Sequence, residues 1–235
     1  MSQPDTLPAI ALTATFEAPP ETSPLLMAEV GAGCLVPLLE DAAVISLDLF
    51  TPDPGKPVIF DDGNPPALHL EIGFATIEAA KAALAGDAFK AAIDSLHGAA
   101  SSELTVGLYK IHREPLPEQA VAGDRSATMS FMVRYYGPVD DPAGFASHYI
   151  AHHPPLLAKF PKVHNVLAFD PVVMEEEGVF PLSPVIVGNE VVFDSVEDLN
   201  AAMLSPVMKE LRQDSAGFPP FGHSTHVPTR RNKLK

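Results

Sequence analysis

The chain has 235 residues, of which 46% are apolar and 19% charged, and its formal net charge is −15. That length provides one large domain or two of about 100 to 120 residues, and the composition is that of a globular protein, which excludes extended disorder. An acidic balance this strong repels phosphate, which excludes nucleic acid and anionic membrane as partners.

The N-terminal stretch MSQPDTLPAIALTATF has neither a basic lead nor a long apolar run, so no signal peptide is expected. No apolar run approaches ~20 residues, so no membrane-spanning helix is expected either. Alternation and helical periodicity then predict strand 9–17, helix 24–40, strand 43–51, strand 67–74, helix 77–95 and strand 103–112. Within the first helix lies the single cysteine, Cys34. It excludes a disulfide framework, fits a reducing, cytoplasmic location, and in Gly33-Cys34-Leu35-Val36 reads as a buried, inert thiol. The Pro- and Ala-rich segment 114–127 is the expected linker. Beyond it the pattern predicts strand 128–137, helix 142–160, strand 163–174, strand 185–193, helix 196–213 and strand 222–228.

The second set repeats the order of the first. With the two overlaid, Phe74 falls on Phe193, Glu78 on Glu197 and Lys90 on Lys209, and Thr76 and Ser195 stand as N-caps of matching helices. The expected fold class is α+β. Two tandem ferredoxin-like βαββαβ modules, 8–113 and 128–229, would each carry an antiparallel sheet with both helices on one face. Two such sheets can cover each other's open faces, which predicts an intramolecular α/β-barrel, monomeric as a pseudo-dimer or paired as a homodimer. The last residues, 230–235, with Arg230, Arg231, Lys233 and Lys235, read as a solvated basic tail.

Chemistry concentrates in HYIAHHPPLLAKFPKVHNV, residues 148–166, which holds four of the nine histidines. Asp141 as N-cap and Pro142 at the first helical position start a helix there. Phe145, Tyr149, His152 or His153, and Leu156 mark its buried face. His148 and His152 are neighbours on one side, Tyr149 and His153 on another. Pro154 and Pro155 predict a kink or restart near His153.

His153 is either a general acid/base or a hydrogen-bonded core histidine. His148 is a second proton carrier or a half-exposed helix residue, and His152 reads as surface. Tyr149, and Tyr135 or Tyr136 on the preceding strand, either orient a substrate oxygen or pack in the core. Arg134 alternates with Phe131, Val133 and Tyr135, so it faces away from them, into the barrel cavity or to solvent at an edge. His164 and Asn165 open the next strand and are expected to face the same cavity. His223 and His226 should fall on opposite faces of the last strand. His148-x-x-x-His152 has a spacing that metals use, but there is no HExxH element, and no glycine-rich phosphate loop or serine elbow. No cofactor and no metal is expected, with a metal or haem the alternative.

The second half, from MSFMVRYYGPVDDPAGFASHYIAHHPPLLAKFPKV through FDSVEDLNAAMLSP to GFPPFGHSTHV, resembles the EthD family of dimeric α/β-barrel proteins. The resemblance is carried by Tyr149, His153-Pro154-Pro155-Leu156 and Phe193-Asp194-Ser195. It implies a ligand cavity between sheet and helices, with the histidine helix at its mouth. The barrel relatives include muconolactone isomerases, polyketide cyclases and dehydratases, cofactor-free monooxygenases and accessory proteins of ether degradation. Where the second half has its histidines the first half has Gly31-Ala32-Gly33-Cys34, which predicts one site and a structural N-terminal partner.

The function expected is a cofactor-independent lyase, isomerase or oxygenase acting on a small hydrophobic, aromatic or polyketide-like molecule. His153 would be the acid/base, assisted by His148, Tyr149 or Arg134, with Tyr136, His164 and Asn165 binding substrate. The alternative is a non-catalytic ligand- or haem-binding accessory protein of a degradation pathway.

Overall fold

In the computed structural model the described residues are 7–60, 64–100, 102–116, 128–174 and 179–235. The first half forms β1 (Ile10–Glu17), α1 (Ser23–Gly31), α2 (Val36–Glu40), β2 (Ser46–Pro52), β3 (Leu68–Phe74), α3 (Ile77–Ala85), α4 (Asp87–Ala99) and β4 (Glu103–Arg113). The second forms β5 (Met129–Tyr136), α5 (Pro142–Leu157), β6 (Asn165–Pro171), β7 (Val185–Phe193), α6 (Val196–Met203), α7 (Val207–Ser215) and β8 (His223–Lys233). The linker expected at 114–127 lies outside the described residues except for Glu114 to Leu116.

Each half reads βαββαβ, and its strands lie in the order β4-β1-β3-β2 or β8-β5-β7-β6. An antiparallel sheet of four strands has two unpaired edges. Here β2 pairs with β8 and β4 with β6, so all eight strands close into one antiparallel barrel. The expected intramolecular barrel is the one observed.

Strand alternation sorts the side chains into two environments. One parity packs under the helices: Leu12, Ala14 and Phe16 with Leu26 and Phe89 in the first half, Phe131, Val133 and Tyr135 with Phe145 and Tyr149 in the second. The other parity points into the barrel and is unusually polar. Thr13, Asp48, Glu71, Ser130, Glu190, Thr229 and Arg231 are all buried. They stay folded because they pair: Ser130 Oγ donates to Glu190 Oε1 at 2.5 Å, and Arg231 Nε donates to Asp48 Oδ1 at 3.0 Å.

That last pair corrects the reading of the C-terminus as a solvated tail. β8 runs on to Lys233 alongside β2, and Arg231 is only 6% exposed. Lys235 donates to the carbonyls of Leu39 and Asp41, at 2.8 Å each. The edge of β2 needs a backbone partner and buried Asp48 needs a cation. The basic terminus supplies both.

Three predicted helices are each divided in two. The break after α1 passes through Gly33 at φ +99°, a left-handed conformation that glycine adopts without a Cβ clash. Gly86, in extended conformation, separates α3 from α4. Pro206 follows Leu204 and Ser205 between α6 and α7, and proline disfavours helical backbone in the residue before it.

By contrast α5 continues through Pro154 and Pro155, where a kink or restart was expected. The two prolines remove the N–H groups that would bond the carbonyls of Ile150 and Ala151. Both ends of the run are secured, by Asp141 accepting from Gly144 N–H at 2.9 Å and by Ala158 N–H donating to Pro154 at 3.0 Å. The caps Thr76 and Ser195 also form as expected, accepting at 3.2 Å from Ala79 and Asp198. Among the described residues no helix is long and apolar enough to cross a membrane.

Candidate active site

The rotation of α5 decides which histidines matter. Phe145, Tyr149, His153 and Leu157 recur at helical spacing and are buried against the sheet, while His148 and His152 are exposed on the other side. His153 Nδ1 lies 2.7 Å from Asp214 Oδ2 at the end of α7. A carboxylate only accepts, so Nδ1 carries the hydrogen and Nε2 keeps its lone pair. Nε2 has no hydrogen-bond partner among the described residues.

Burial holds the His153 pKa below its ordinary value, although the bond to Asp214 and its charge pull the other way; His226 adds to the lowering. The imidazole is therefore neutral at pH 7, a base with its basic nitrogen available. The unfolded chain binds this proton more readily than the folded one. Stability from His153 is thus complete above pH ~6.5 and is lost as pH falls from there toward the folded pKa. Replacing Asp214 with asparagine removes the raising influence and leaves burial unopposed. Asp214→Asn should move the acid limb of the activity profile to lower pH and cut the rate by up to about 100-fold through misorientation of the ring. A pH–rate profile of both proteins checks this.

His153 lines a cavity of about 410 Å³ between the second-half sheet and its helices. Aromatic and sulfur-bearing side chains dominate its wall, among them Phe131, Tyr135, Met208, Phe218 and Phe221. Tyr135 meets Phe221 edge-on at 5.3 Å, and Phe218 lies edge-on to His153 at 5.4 Å. Such edge-to-face packing leaves flat, apolar surfaces for a planar guest. The polar atoms at the wall are few. Asn189 donates through Nδ2 to the Tyr149 hydroxyl, and its Oδ1 is buried without a partner. An unmet acceptor of this kind is costly, by about 1–3 kcal/mol, and a ligand O–H or N–H would satisfy it.

One part of this wall comes from the other half of the chain. After β2 the backbone crosses to α6, where Val58 N–H donates to Asn200 Oδ1 at 2.9 Å and Asn200 Nδ2 donates to the Lys56 carbonyl at 3.2 Å. This clamp presents Ile59 and Phe60 to the cavity, with Phe60 stacked on His226 at 4.0 Å and 4° between the rings. The matching crossing after β6 goes the opposite way. Val172, Met174 and Phe180 pack into the first-half core, with Phe180 edge-on to Phe89 at 5.8 Å. Asn200→Ala removes two bonds of about 1 kcal/mol each, and should raise KM severalfold with little change in kcat, as steady-state kinetics would show.

The residues singled out in the sequence fall in different places. His153 is on the cavity wall, and Tyr149 is fully buried behind it with ring centroids 4.9 Å apart. Burial and the neighbouring Tyr135 push the Tyr149 pKa well above 10, so it stays a neutral phenol that positions rather than transfers protons. His148 stacks on His152 at 4.4 Å outside the cavity. No group of three or more metal-ligating side chains is found among the described residues.

His164 pairs with exposed Asp194 at 3.1 Å, and buried Asn165 is absent from the lining of the His153 cavity, as His164 is, so the expectation that both face the site is corrected. Arg134 and Tyr136 do face a cavity, but a different one, inside the barrel end. His226 and His223 fall on opposite faces of β8, one in each cavity. Cys34 is half-buried rather than buried, and burial with nearby Glu29 raises its thiol pKa. Asn189, Phe60 and His226 on the cavity wall, and Asp214 bonded to His153, are among the residues given no role beforehand. Asn189, a polar residue on the face of β7 that otherwise carries Val187 and Val191, carried the clearest signal.

Residues 140–219 match the EthD domain family. Among curated proteins none matches the chain. An anthrone oxidase-like protein of known structure is 14% identical, with TM-score 0.59 over 95% of this chain and 92% of its own. A candidate monooxygenase from Fusobacterium nucleatum subsp. nucleatum is 9% identical, with TM-score 0.57 over 98% and 94%. A candidate monooxygenase from Lactobacillus acidophilus is 12% identical, with TM-score 0.50 over 97% and 96%. These likenesses establish the barrel fold.

Proposed function

We propose, from an EthD domain at residues 140–219 whose helix α5 carries a neutral, Asp214-bound His153 on an aromatic cavity, that the protein deprotonates a planar hydrophobic carbon acid and passes the carbanion to dioxygen. The observation that carries this reading is the geometry of His153. Its Nδ1 is held by a carboxylate, its Nε2 is available, and its surroundings are apolar, which is the arrangement of a general base.

In the proposed reaction Nε2 removes a proton from a CH₂ group conjugated to a carbonyl. The negative charge spreads to the carbonyl oxygen, and Arg212, the one Lys or Arg of the lining among the described residues, stands at the exposed rim to offset it. The carbanion is oxidised by dioxygen as a C–O bond forms, and the His153 imidazolium returns its proton to the peroxide. Loss of the second C–H proton with O–O cleavage then gives a ketone, and the expelled hydroxide leaves as water. One dioxygen is consumed per carbonyl formed. Oxygen as acceptor is suggested by the names of the structural neighbours, and the anthrone oxidase-like protein suggests the probe.

Anthrone is incubated with the purified protein, and oxygen uptake and quinone formation are followed together. Equal molar uptake and quinone formation, both above the buffer rate, are expected. Rates no faster than buffer, with no accelerated proton exchange, would overturn the reading.

A further inference from the structure

Arg134 and Tyr136 are not used by this chemistry. They share strand β5 with Val133 and Tyr135 but point through the opposite face, into a cavity of about 320 Å³ at one end of the barrel. Met132, Phe169 and Val227 form its apolar depth, while Glu17, Glu103 and His223 stand exposed at the mouth.

The charges in this cavity face one another without touching. Arg134 Nη1 donates to the carbonyls of Val133 at 3.1 Å and Asn189 at 3.0 Å, which fixes the guanidinium 5.4 Å above the Phe169 ring. Gly188 makes room for this arm, since a Cβ there would stand 3.0 Å from Arg134 Cδ. Nε and Nη2 have no hydrogen-bond partner among the described residues, so a fork of donors is left for a carboxylate. Across the cavity Glu17 and Glu103 sit directly opposite each other in the β1–β4 register. Like charges so placed repel. Although its side chain reaches solvent at the mouth, desolvation by the surrounding strands and the charge of Glu103 raise the Glu17 pKa, with Arg134 opposing them. Neither carboxylate has an ion-pair partner among the described residues.

We propose that the barrel-end cavity is a second ligand site, separate from the His153 cavity, and that it takes a small zwitterion with a hydrophobic body, an α-amino acid or close analogue. A simple anion would suit Arg134 but meet the two glutamates, and a simple cation would meet the reverse. A ligand with both charges satisfies each side and fills the depth formed by Met132, Phe169 and Val227. The site does not depend on the proposed oxygen chemistry.

The test uses the full chain with methyl-labelled methionine and L-phenylalanine as the probe, followed by NMR. Met132 lies in this cavity, whereas Met203 and Met208 line the other, so the methyl signals report the location. L-Phenylalanine should shift Met132 and leave Met203 and Met208 in place. Phenethylamine and 3-phenylpropionate, each lacking one charge, should bind at least about tenfold more weakly. Arg134→Gln should abolish binding. If that variant fails to fold, Glu17→Gln with Glu103→Gln at the exposed mouth should erase the preference for L-phenylalanine over 3-phenylpropionate. Shifts at Met203 and Met208 alone, equal affinity for all three probes, or no shift at millimolar L-phenylalanine would overturn the proposal.

Discussion

His153→Gln is expected to lower the anthrone-dependent rate by about 100- to 10,000-fold, the usual contribution of a positioned general base. Glutamine retains an amide N–H that can bond Asp214, which limits the damage to packing around a residue only 7% exposed. The loss should therefore lie in kcat with KM little changed, because the aromatic wall proposed to bind the ring system is untouched. The acid limb of the wild-type pH profile should vanish in the residual activity, since its titrating group is gone. His148→Gln serves as the matched control. It removes an exposed imidazole on the far side of the same helix, and its rate should stay within about threefold of wild type, consistent with the small effects of surface changes. Equal losses in the two variants would remove His153 from the mechanism.

Asp48→Ala is expected to destabilise the fold by about 3–5 kcal/mol, as measured by denaturant midpoint. Asp48 and Arg231 are 1% and 6% exposed and join β2 to β8 across one of the two seams that close the barrel. Removing the carboxylate takes away the acceptor of Nε and one of the charges that offset a buried guanidinium, and that loss of charge pairing is the larger part of the effect. The double change Asp48→Leu with Arg231→Met removes both charges and keeps the volume, so most of the loss should be recovered. A single variant within about 1 kcal/mol of wild type would mean that the seam is held by its backbone ladder alone.

Much of the fold was legible because each half repeats one pattern of alternation and caps. Thr76, Ser195 and Asp141 are short-range signals, and they form the caps they encode. What local pattern could not convey was pairing between distant elements. The basic C-terminus looked like a tail because the partner of Arg231 lies 183 residues away. Asp214 escaped notice for the same reason, standing 61 residues from His153, past the expected end of its helix. Helical spacing did separate the Tyr149–His153 pair from His148–His152. It could not show that Arg134 and His153 occupy opposite sides of one sheet, because facing was argued from a single strand. That Gly31-Ala32-Gly33-Cys34 stands where the second half has its histidine helix was visible, whereas the Phe180 that packs into the first-half core depends on a crossing between the halves.

Proton abstraction from carbon by His153 Nε2, the step proposed above, can be tested apart from any reaction with oxygen. Under strict anaerobiosis in deuterium oxide, exchange at the anthrone methylene reports proton abstraction alone. Wild-type protein should accelerate that exchange well above buffer, and His153→Gln should return it to the buffer rate. Exchange equally fast in both proteins, or faster than buffer in neither, would mean that His153 Nε2 is not the base.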